Sequence, residues 1–250
     1  MKAVTKKTDR RTAFTIVELL TVMSIIIILI GLLVPSLNMV KRYAKRVKQK
    51  AQFHSIKVAM DLFATEREGY PDSVAFDAQN NSYNYCGSMK LCEAMMGQDL
   101  LGFNPKSQFN GDLLDGAGED LYPQTPPLPG SPGYAIYVEN MKSRKGPYLQ
   151  IENANAYRLR HLYGAGIVPN NVFNEERFVM CDVYNRVNLK PALGENISGK
   201  TGMPILYYKA NTANTLHDYQ YPDKSIYNYL DNDELVQLGL PWNTGLAHPM

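Results

Sequence analysis

The segment from Gly194 to Thr201 carries the clearest chemical pattern in this chain of 250 residues. It reads GENISGKT and satisfies G-x-x-x-x-G-K-[ST], a loop whose backbone amides bind nucleotide phosphates at the start of a helix. Such a loop leaves a buried strand and enters a helix, whereas Pro191 precedes this segment and Gly202 and Pro204 follow it. The flanks therefore predict a polar turn, and we expect no nucleotide-binding site here.

Other residues with catalytic or metal-binding chemistry are scattered along the chain. The acids between Asp112 and Asp120 lack the spacing of an EF-hand. This segment is either a loop calcium site or a solvated turn, and we favour the turn. No G-x-S-x-G segment is present, and the histidines are far apart, at His54, His161, His217 and His248. The sequence therefore predicts no catalytic residue, no metal and no cofactor, and we expect that the chain is not an enzyme.

The apolar run from Phe14 to Leu37 gives a stronger functional signal. It has 24 residues, and Glu18 is its only ionisable side chain. As a helix it would extend about 36 Å, which exceeds the roughly 30 Å hydrocarbon core of a bilayer. A carboxylate in such a segment costs about 2.5 kcal/mol or more unless it is paired, so we interpret Glu18 as a functional residue.

The residues around Glu18 resemble the N-terminus of type IV prepilins and type II secretion pseudopilins. That family has a basic leader, a Gly and then Phe-Thr-Leu-Ile-Glu-Leu, and this chain reads RRTAFTIVELL from Arg10 to Leu20. The resemblance implies that a prepilin peptidase cuts between Ala13 and Phe14 and that the new Phe14 amine is N-methylated. It also implies that Glu18 is the acid that acts in assembly. The chain departs from the family in having Ala13 where a Gly is usual.

The resemblance further implies a structural subunit that polymerises into a type II secretion pseudopilus or a type IV pilus-like filament. Its partners would be copies of itself, other pilin-like subunits, the prepilin peptidase, the secretion or pilus assembly machinery and membrane lipid. It would cross the inner (cytoplasmic) membrane once, with its C-terminal head in the periplasm. The alternative is a membrane-tethered extracytoplasmic enzyme or nucleotide-binding domain that carries a prepilin-like signal.

An uncleaved signal anchor and an ordinary secretory signal peptide are the simpler interpretations of the same apolar run. The run is longer than the usual 7 to 15 residues of a secretory apolar region, and Val34-Pro35-Ser36 is a poor cleavage site. Basic residues flank the run on both sides, so the positive-inside rule alone does not orient it. The prepilin resemblance implies that the leader is cytoplasmic.

The distribution of charge argues against a nucleic-acid-binding head. The formal net charge is +2, but five basic residues and one acid lie in the leader before Phe14. Six more basic residues lie between Lys41 and Lys50, a position that suits lipid head groups. Residues 51–250 keep 15 basic and 22 acidic side chains, a net charge of −7. A surface of this sign repels phosphate backbones, so we expect no nucleic-acid partner.

We divide the chain into a cleaved leader (1–13), a transmembrane and assembly helix (14–37), an amphipathic continuation of that helix (38–67) and a globular head (68–250). In 38–67, apolar residues recur at steps of three or four in two stripes. One stripe contains Val40, Ala44, Val47, Ala51, His54, Val58 and Leu62, and the other contains Phe53, Ile56, Met60 and Phe63. Gly69 and Pro71 would end a helix that begins at Phe14, and Gly31 and Pro35 are its expected weak points.

We predict an α+β head, with a long N-terminal helix packed on a small antiparallel sheet with long loops. Residues 88–101 suit a short helix, and residues 103–133 are rich in Gly, Pro, Asn and Asp and predict a long loop. Four short runs have the composition of strands. They are Tyr134 to Glu139, Tyr148 to Glu152, Phe178 to Tyr184 and Pro204 to Lys209. Two short segments, GPYLQ at 146–150 and GMPILYY at 202–208, are similar to elements of the major pseudopilin, but the insertion between them has no assigned role.

Cys86, Cys92 and Cys181 would mature in an oxidising compartment if the prepilin topology holds. In a helix that extends back to Cys86, six positions separate Cys86 from Cys92, which is about 9 Å of rise. A disulfide needs Cα atoms within about 7 Å. One of these two cysteines should then pair with Cys181, and we favour Cys86.

Overall fold

The computed structural model describes residues 15–75, 85–111, 113–123, 125–164, 174–191, 194–195, 197–218 and 220–238. The chain divides into two compact units, Met1–Val47 and Lys48–Met250. Helix α1 (Ile16–Arg67) has 52 residues and contributes to both units. Its end at Arg67 confirms the predicted boundary, and the next residue, Glu68, has a left-handed backbone with φ of 58°. The helix continues without interruption through Gly31 and Pro35, the positions expected to weaken it.

The second unit is built around a short buried helix. Helix α2 (Gly87–Met96) confirms the predicted helix but ends five residues earlier than 101. All ten of its residues are buried, and it ends where Gly97 turns the backbone at φ of 81°. The amide of Gly97 still donates to the carbonyl of Glu93, so the last turn is satisfied. A helix that is buried all round must be the centre of its domain.

The strands are few and short. Strands β1 (Ala156–Arg158) and β2 (Phe178–Met180) pair antiparallel, with Tyr157 opposite Val179. Strands β3 (Val187–Asn188) and β4 (Lys200–Thr201) form a second antiparallel pair. The predicted α+β class, with a long N-terminal helix, small antiparallel sheets and long loops, is confirmed.

Two of the four predicted strands are wrong, and in each the backbone finds another partner. The first is helix α3 (Tyr134–Ser143), whose start is set by Gly133 at φ of 91° and by a hydrogen bond from the Tyr137 amide to the Gly133 carbonyl. The second, 148–152, runs into helix α4 (Ile151–Ala154). The amides of Tyr148 and Leu149 both donate to the carbonyl of Met95 at the end of α2, so they do not pair with a strand. Strand propensity decides little where no neighbouring strand is available.

Of the other two predicted strands, the one from Phe178 is confirmed at its start, and the one from Pro204 to Lys209 does not form. Strand β2 covers Phe178–Met180 of the run that reaches Tyr184. The run from Pro204 contains a single bridge, from Pro204 to Cys181. Beyond it, the amides of Tyr207 and Lys209 donate to the hydroxyls of Ser88 and Ser73, at 3.3 and 3.0 Å. Side chains therefore take the hydrogen bonds that a strand ladder would need.

Two hydrophobic clusters fill the second unit. One contains Tyr85, Cys86, Met89 and Cys181, together with helix α5 (Leu159–Tyr163) and helix α6 (Asp233–Gln237). The other joins Phe63 of α1 to the α2 face, and the Phe63 ring meets the Phe103 ring edge-on at 5.2 Å. The C-terminal part of α1 is thus part of the core of the head.

All three cysteines are buried free thiols. The cysteine prediction assumed a helix that extends back to Cys86, but α2 begins at Gly87, and Cys86 lies just before it with an extended backbone, while Cys92 lies within the helix. Cys86 and Cys181 belong to one hydrophobic cluster and Cys92 belongs to the other. The pairing of Cys86 with Cys181 stays a prediction.

Candidate functional site

The N-terminal part of α1 exposes an unbroken apolar surface. Its large apolar side chains between Ile16 and Val40 are at least 43% exposed, and Ile16 reaches 83%. Within the described residues, α1 is the one helix long and apolar enough to cross a membrane. Water-soluble monomers rarely expose a contiguous apolar patch of this size, so this part of the helix requires lipid or another protein surface around it.

Glu18 closes a reciprocal hydrogen-bond pair with Thr15 at the start of α1. The backbone amide of Thr15 donates to Glu18 Oε2 at 2.9 Å, and the amide of Glu18 donates to Thr15 Oγ1 at 3.2 Å. The Thr15 hydroxyl also donates to Glu18 Oε2 at 2.8 Å. This is a capping box, which satisfies backbone donors that the first turn of a helix leaves without intrahelical partners. Glu18 therefore has a local role within the single chain, beside any role between chains.

The hydroxyl side chains of the same segment are satisfied within the helix. Thr21, Ser24 and Ser36 donate to the backbone carbonyls of Glu18, Leu20 and Leu33 at 2.7 to 2.9 Å. These groups can enter hydrocarbon at little cost because they carry no charge and have acceptors. Glu18 is thus the only side chain of the segment that needs a partner from outside it when it is ionised.

Helix α1 enters the core of the second unit along a single narrow face. Its buried residues recur at alternating steps of three and four: Gln49, Gln52, Ile56, Ala59 and Phe63. The two glutamines are hydrogen-bonded to the head. Gln52 Nε2 donates to the carbonyls of Ala154 and Cys181 at 3.1 and 2.8 Å, and Gln49 Oε1 accepts from the Val183 amide at 2.9 Å.

The predicted stripes of α1 are partly corrected. Ile56 and Phe63 are buried and Met60 is half-buried, as expected for a core face, but Phe53 is 50% exposed. The other predicted stripe is exposed, with Val58 at 45% and Leu62 at 51%. Residues 48–67 of α1 therefore present apolar side chains to solvent on the side that does not face the core.

The predicted cleavage site, between Ala13 and Phe14, lies outside the described residues, which begin at Thr15. Ala13 and Phe14 are therefore not placed relative to the capping box. In sequence, Phe14 is the residue directly before Thr15. Cleavage after Ala13 would put a new amine next to the helix start, four residues from Glu18.

The phosphate-loop pattern does not have the local structure that its chemistry requires. Ala192, Leu193 and Asn196 lie outside the described residues, but the Lys and Thr of the pattern form strand β4. In a nucleotide-binding loop those two residues begin a helix. Glu195 is instead ion-paired with Arg160, and its Oε2 lies 2.7 Å from His161 Nε2. A carboxylate at this position would also repel a phosphate.

The acidic loop between Asp112 and Asp120 forms a tight turn. Asp112 lies outside the described residues. Asp115 Oδ1 accepts from the amides of Ala117 and Glu119 at 2.8 and 2.9 Å, which is an ordinary use of an aspartate in a turn. Within the described part of the chain, no group of three or more His, Cys, Asp or Glu side chains is arranged to hold a metal ion.

Sequence reasoning missed two polar features of the head. Gln49 and Gln52 carry a three-residue spacing that matches the buried face of α1, but glutamines are rarely buried, so the pattern was assigned to apolar residues alone. Glu93 is buried within α2 and accepts from the Tyr85 hydroxyl at 2.7 Å and from Gln98 Nε2 at 3.0 Å. Burial raises the pKa of this carboxyl. Nothing in the local sequence marks Glu93 as buried.

The described arrangement, a long apolar N-terminal helix followed by a small antiparallel sheet region, is compatible with a pilin-like fold. The chain matches no family model, no curated protein and no solved structure.

Proposed function

We propose that this chain is a pilin-like structural subunit that is cut by a prepilin peptidase and then assembles through α1 into a pseudopilus or pilus-like filament. The observation that carries the proposal is that the two parts of α1 have different surroundings. Its first 25 or so residues expose apolar side chains with a single carboxylate, whereas Ile56, Ala59 and Phe63 belong to the core of the head. A helix that only anchored an enzyme would not need an acid in its membrane segment or an apolar free side beyond it.

Electrostatics gives the acid a role in assembly. Cleavage before Phe14 creates a positively charged amine, and neither that amine nor the Glu18 carboxylate is tolerated alone in hydrocarbon. Pairing the amine of one subunit with Glu18 of the next removes both costs at once. In the single chain the capping box uses only Glu18 Oε2, so Oε1 of the carboxylate can accept from the amine of a neighbouring subunit.

Two substitutions separate the charge of Glu18 from its capping role. Glu18→Gln removes the charge but keeps an oxygen that can accept from the Thr15 amide, since Gln also completes a capping box. Thr15→Val removes the hydroxyl of the capping box and keeps the carboxylate. If assembly depends on charge, Glu18→Gln loses filaments and Thr15→Val retains them. The opposite pattern would show that Glu18 acts by capping the helix.

The measurements are filament yield and the mass of the membrane-extracted subunit, in cells that contain a prepilin peptidase and its assembly machinery. Intact-mass analysis should show cleavage between Ala13 and Phe14 and addition of a methyl group. Both substituted chains should still be cleaved, because neither residue precedes the cut. A wild-type chain that keeps Met1, or that is cut after Ser36, contradicts the proposal.

The orientation in the proposal follows from cleavage: the leader stays in the cytoplasm and the head lies in the periplasm. The six basic residues from Lys41 to Lys50 then sit near lipid head groups on the periplasmic side. A protease added to spheroplasts tests this, because it should digest the head while the membrane is intact. Protection of the head would reverse the topology and remove the basis of the proposal.

A further inference from the structure

A cleft lined by tyrosines opens on the surface of the head near its C-terminal part. It has a volume of about 520 Å³, within the range of ligand-binding clefts. Its lining includes Leu206, Tyr208, Tyr227 and Tyr229, and the last two are 47% and 42% exposed. The His217 ring stacks on Tyr227, with ring centroids 5.9 Å apart and planes 18° apart. Exposed aromatic rings gathered in a concavity indicate a binding surface.

The polar groups of this cleft suit an uncharged ligand that has hydrogen-bond acceptors. The Tyr227 hydroxyl and the His217 ring can donate to such a ligand, whereas the Tyr207 hydroxyl already donates to the Pro71 carbonyl at 2.8 Å. Asp218, the acid of the cleft, already accepts at Oδ1 from the amides of Gln220 and Tyr221, at 2.9 and 3.2 Å. The Ser225 hydroxyl is also occupied, because it accepts from the Asp218 amide at 2.6 Å and donates to the Asp218 carbonyl at 2.9 Å. A ligand that is rich in carbonyls and poor in N–H groups would fit these partners.

The same chain presents a segment with that chemistry. Residues 121–133 read LYPQTPPLPGSPG, with four prolines between 123 and 129 and no charge. Thr125, Pro126 and Leu128 each precede a proline, which restricts their backbones to extended or polyproline conformations. Prolines have no N–H to satisfy, and their carbonyls point outward in a polyproline helix. Aromatic-lined grooves recognise such segments in several unrelated domains.

Residues 125–130 of this segment are largely exposed and are held in shape by a turn of their own. Leu128, at its tip, is 77% exposed. The Ser131 amide donates to the Leu128 carbonyl at 3.0 Å, and Gly130 has φ of 86°, as the third residue of a type II turn requires. A segment that is already ordered loses little conformational entropy when it binds.

We infer that the exposed part of the proline segment of one subunit, Thr125 to Gly130, docks into the tyrosine-lined cleft of a second copy of this chain. The segment does not line the cleft of its own copy. Two different surfaces of the subunit meet in such a contact, so each bound copy presents a free cleft and a free segment to the next. A contact of this kind propagates along a row of subunits.

The size of the contact explains why it needs a second copy in the same membrane. A turn of about five residues buries far less than the roughly 1,200 Å² of a stable protein interface. The contact is therefore weak between free molecules. Subunits tethered to one membrane meet at a high effective concentration, which makes a weak contact persist. In this respect the inference rests on the proposed function, which brings copies of the chain together.

Cross-linking between two populations of full-length subunits tests the contact. One population carries Leu128→Cys and the other Tyr227→Cys, with different tags, and both are expressed in the same membrane. Under mild oxidation we expect a dimer of the two tags only when both substitutions are present. Tyr70→Cys replaces Tyr227→Cys as the matched control, because Tyr70 is 48% exposed but lies outside the cleft. Equal yields with Tyr70→Cys and Tyr227→Cys overturn the inference.

A second measurement identifies the occupant. A synthetic peptide of residues 123–133 should reduce the cross-link severalfold, and the same peptide with its prolines replaced by alanine should not. Three results overturn the inference. They are a cross-link within a single chain that carries both cysteines, a peptide without effect, and a cleft that binds an oligosaccharide and not the peptide.

Filament yield distinguishes a failure of this inference from a failure of the proposed function. If wild-type filaments form and depend on the charge of Glu18 but the dimer is absent, the docking contact is wrong and the proposed function stands. If the dimer forms in the membrane and filaments do not depend on Glu18, the contact stands and the proposed function fails.

Discussion

Gln52 of helix α1 donates its side-chain amide to the backbone carbonyl of Cys181 at 2.8 Å, across 129 positions of sequence. Cys181 follows strand β2 directly, and its carbonyl also accepts from Asn155 Nδ2 at 3.0 Å. The glutamine is 5% exposed. One buried side chain thus ties the helix that carries the proposed assembly surface to the small sheet of the head.

Gln52→Ala should destabilise the head by about 1–3 kcal/mol, because it removes the Gln52 donor to the Ala154 carbonyl and one of the two donors to the Cys181 carbonyl, and it opens a small cavity. His54→Ala is the matched control, since His54 is exposed two positions further along the helix and should change stability little. Urea unfolding of the detergent-solubilised full chain, followed by the near-ultraviolet circular dichroism of the head tyrosines, measures both. Equal midpoints for the two variants would contradict the role of Gln52.

Asp231 should make the head less stable as pH rises from about 4 to about 6. Burial raises the pKa of Asp231 from 3.8 to about 6, with the nearby Asp72 adding to the shift and the Ser73 hydroxyl opposing it. A carboxyl whose folded pKa is raised contributes stability that is complete below the unfolded pKa and is lost as pH rises through the folded pKa. The difference across this window is about 1–3 kcal/mol.

Asp231→Asn should remove that contribution and leave the titration of other carboxyls unchanged. Unfolding free energies of the two proteins at pH 4 and pH 7 give the comparison directly. Relative to Asp231→Asn, the wild type should lose stability between the two values. A difference that stays constant or grows with pH would show that Asp231 is not protonated in the folded head near pH 4 to 5.

The phosphate-loop pattern should not bind a nucleotide. Strand β4 holds Lys200 and Thr201 where a helix would have to begin, and Glu195 is ion-paired nearby. Calorimetric titration of the full chain with Mg-ATP should therefore give no saturable heat at micromolar concentration. Micromolar binding that Lys200→Ala abolishes would refute this and favour the nucleotide-binding alternative.

The three cysteines should resist alkylation in the folded, reduced protein. Each is buried, and burial raises the pKa of the Cys86 thiol to about 12, so its reactive thiolate is scarce. After oxidation we expect Cys86 linked to Cys181, because both belong to one hydrophobic cluster. Non-reducing peptide mapping checks the pairing, and recovery of a Cys86–Cys92 link alone would contradict it.

Periodicity and local chemistry predicted the long elements well. The run of apolar residues after Phe14 and the recurrence of Ile56 and Phe63 predicted α1 to its last residue, because a helix repeats every 3.6 residues over many turns. The helix in α2 was predicted from its composition, but its end at Gly97 was not, because the prediction ran on to 101. These signals depend only on residues that are close in sequence.

The sheet and the buried polar groups could not be predicted in this way. Tyr134 to Glu139 has strand composition but is helical, and whether such a run pairs depends on distant partners. Glu93 and Gln52 are buried because hydroxyls and carbonyls from distant segments meet them. The cleft could not be predicted either, because residues at 206–208 and 217–229 line it and no local sequence pattern connects them.

The burial of Ile56, Ala59 and Phe63 also determines how the head could be shed. A protease that cuts before Lys48 would release a folded fragment that keeps every α1 residue of the core. A cut between Gln52 and Phe63 would remove part of that core and expose the phenylalanine and methionine side chains around it. Intact heads released from cells should therefore begin near or before Lys48, whereas cleavage further along the helix should lead to degradation.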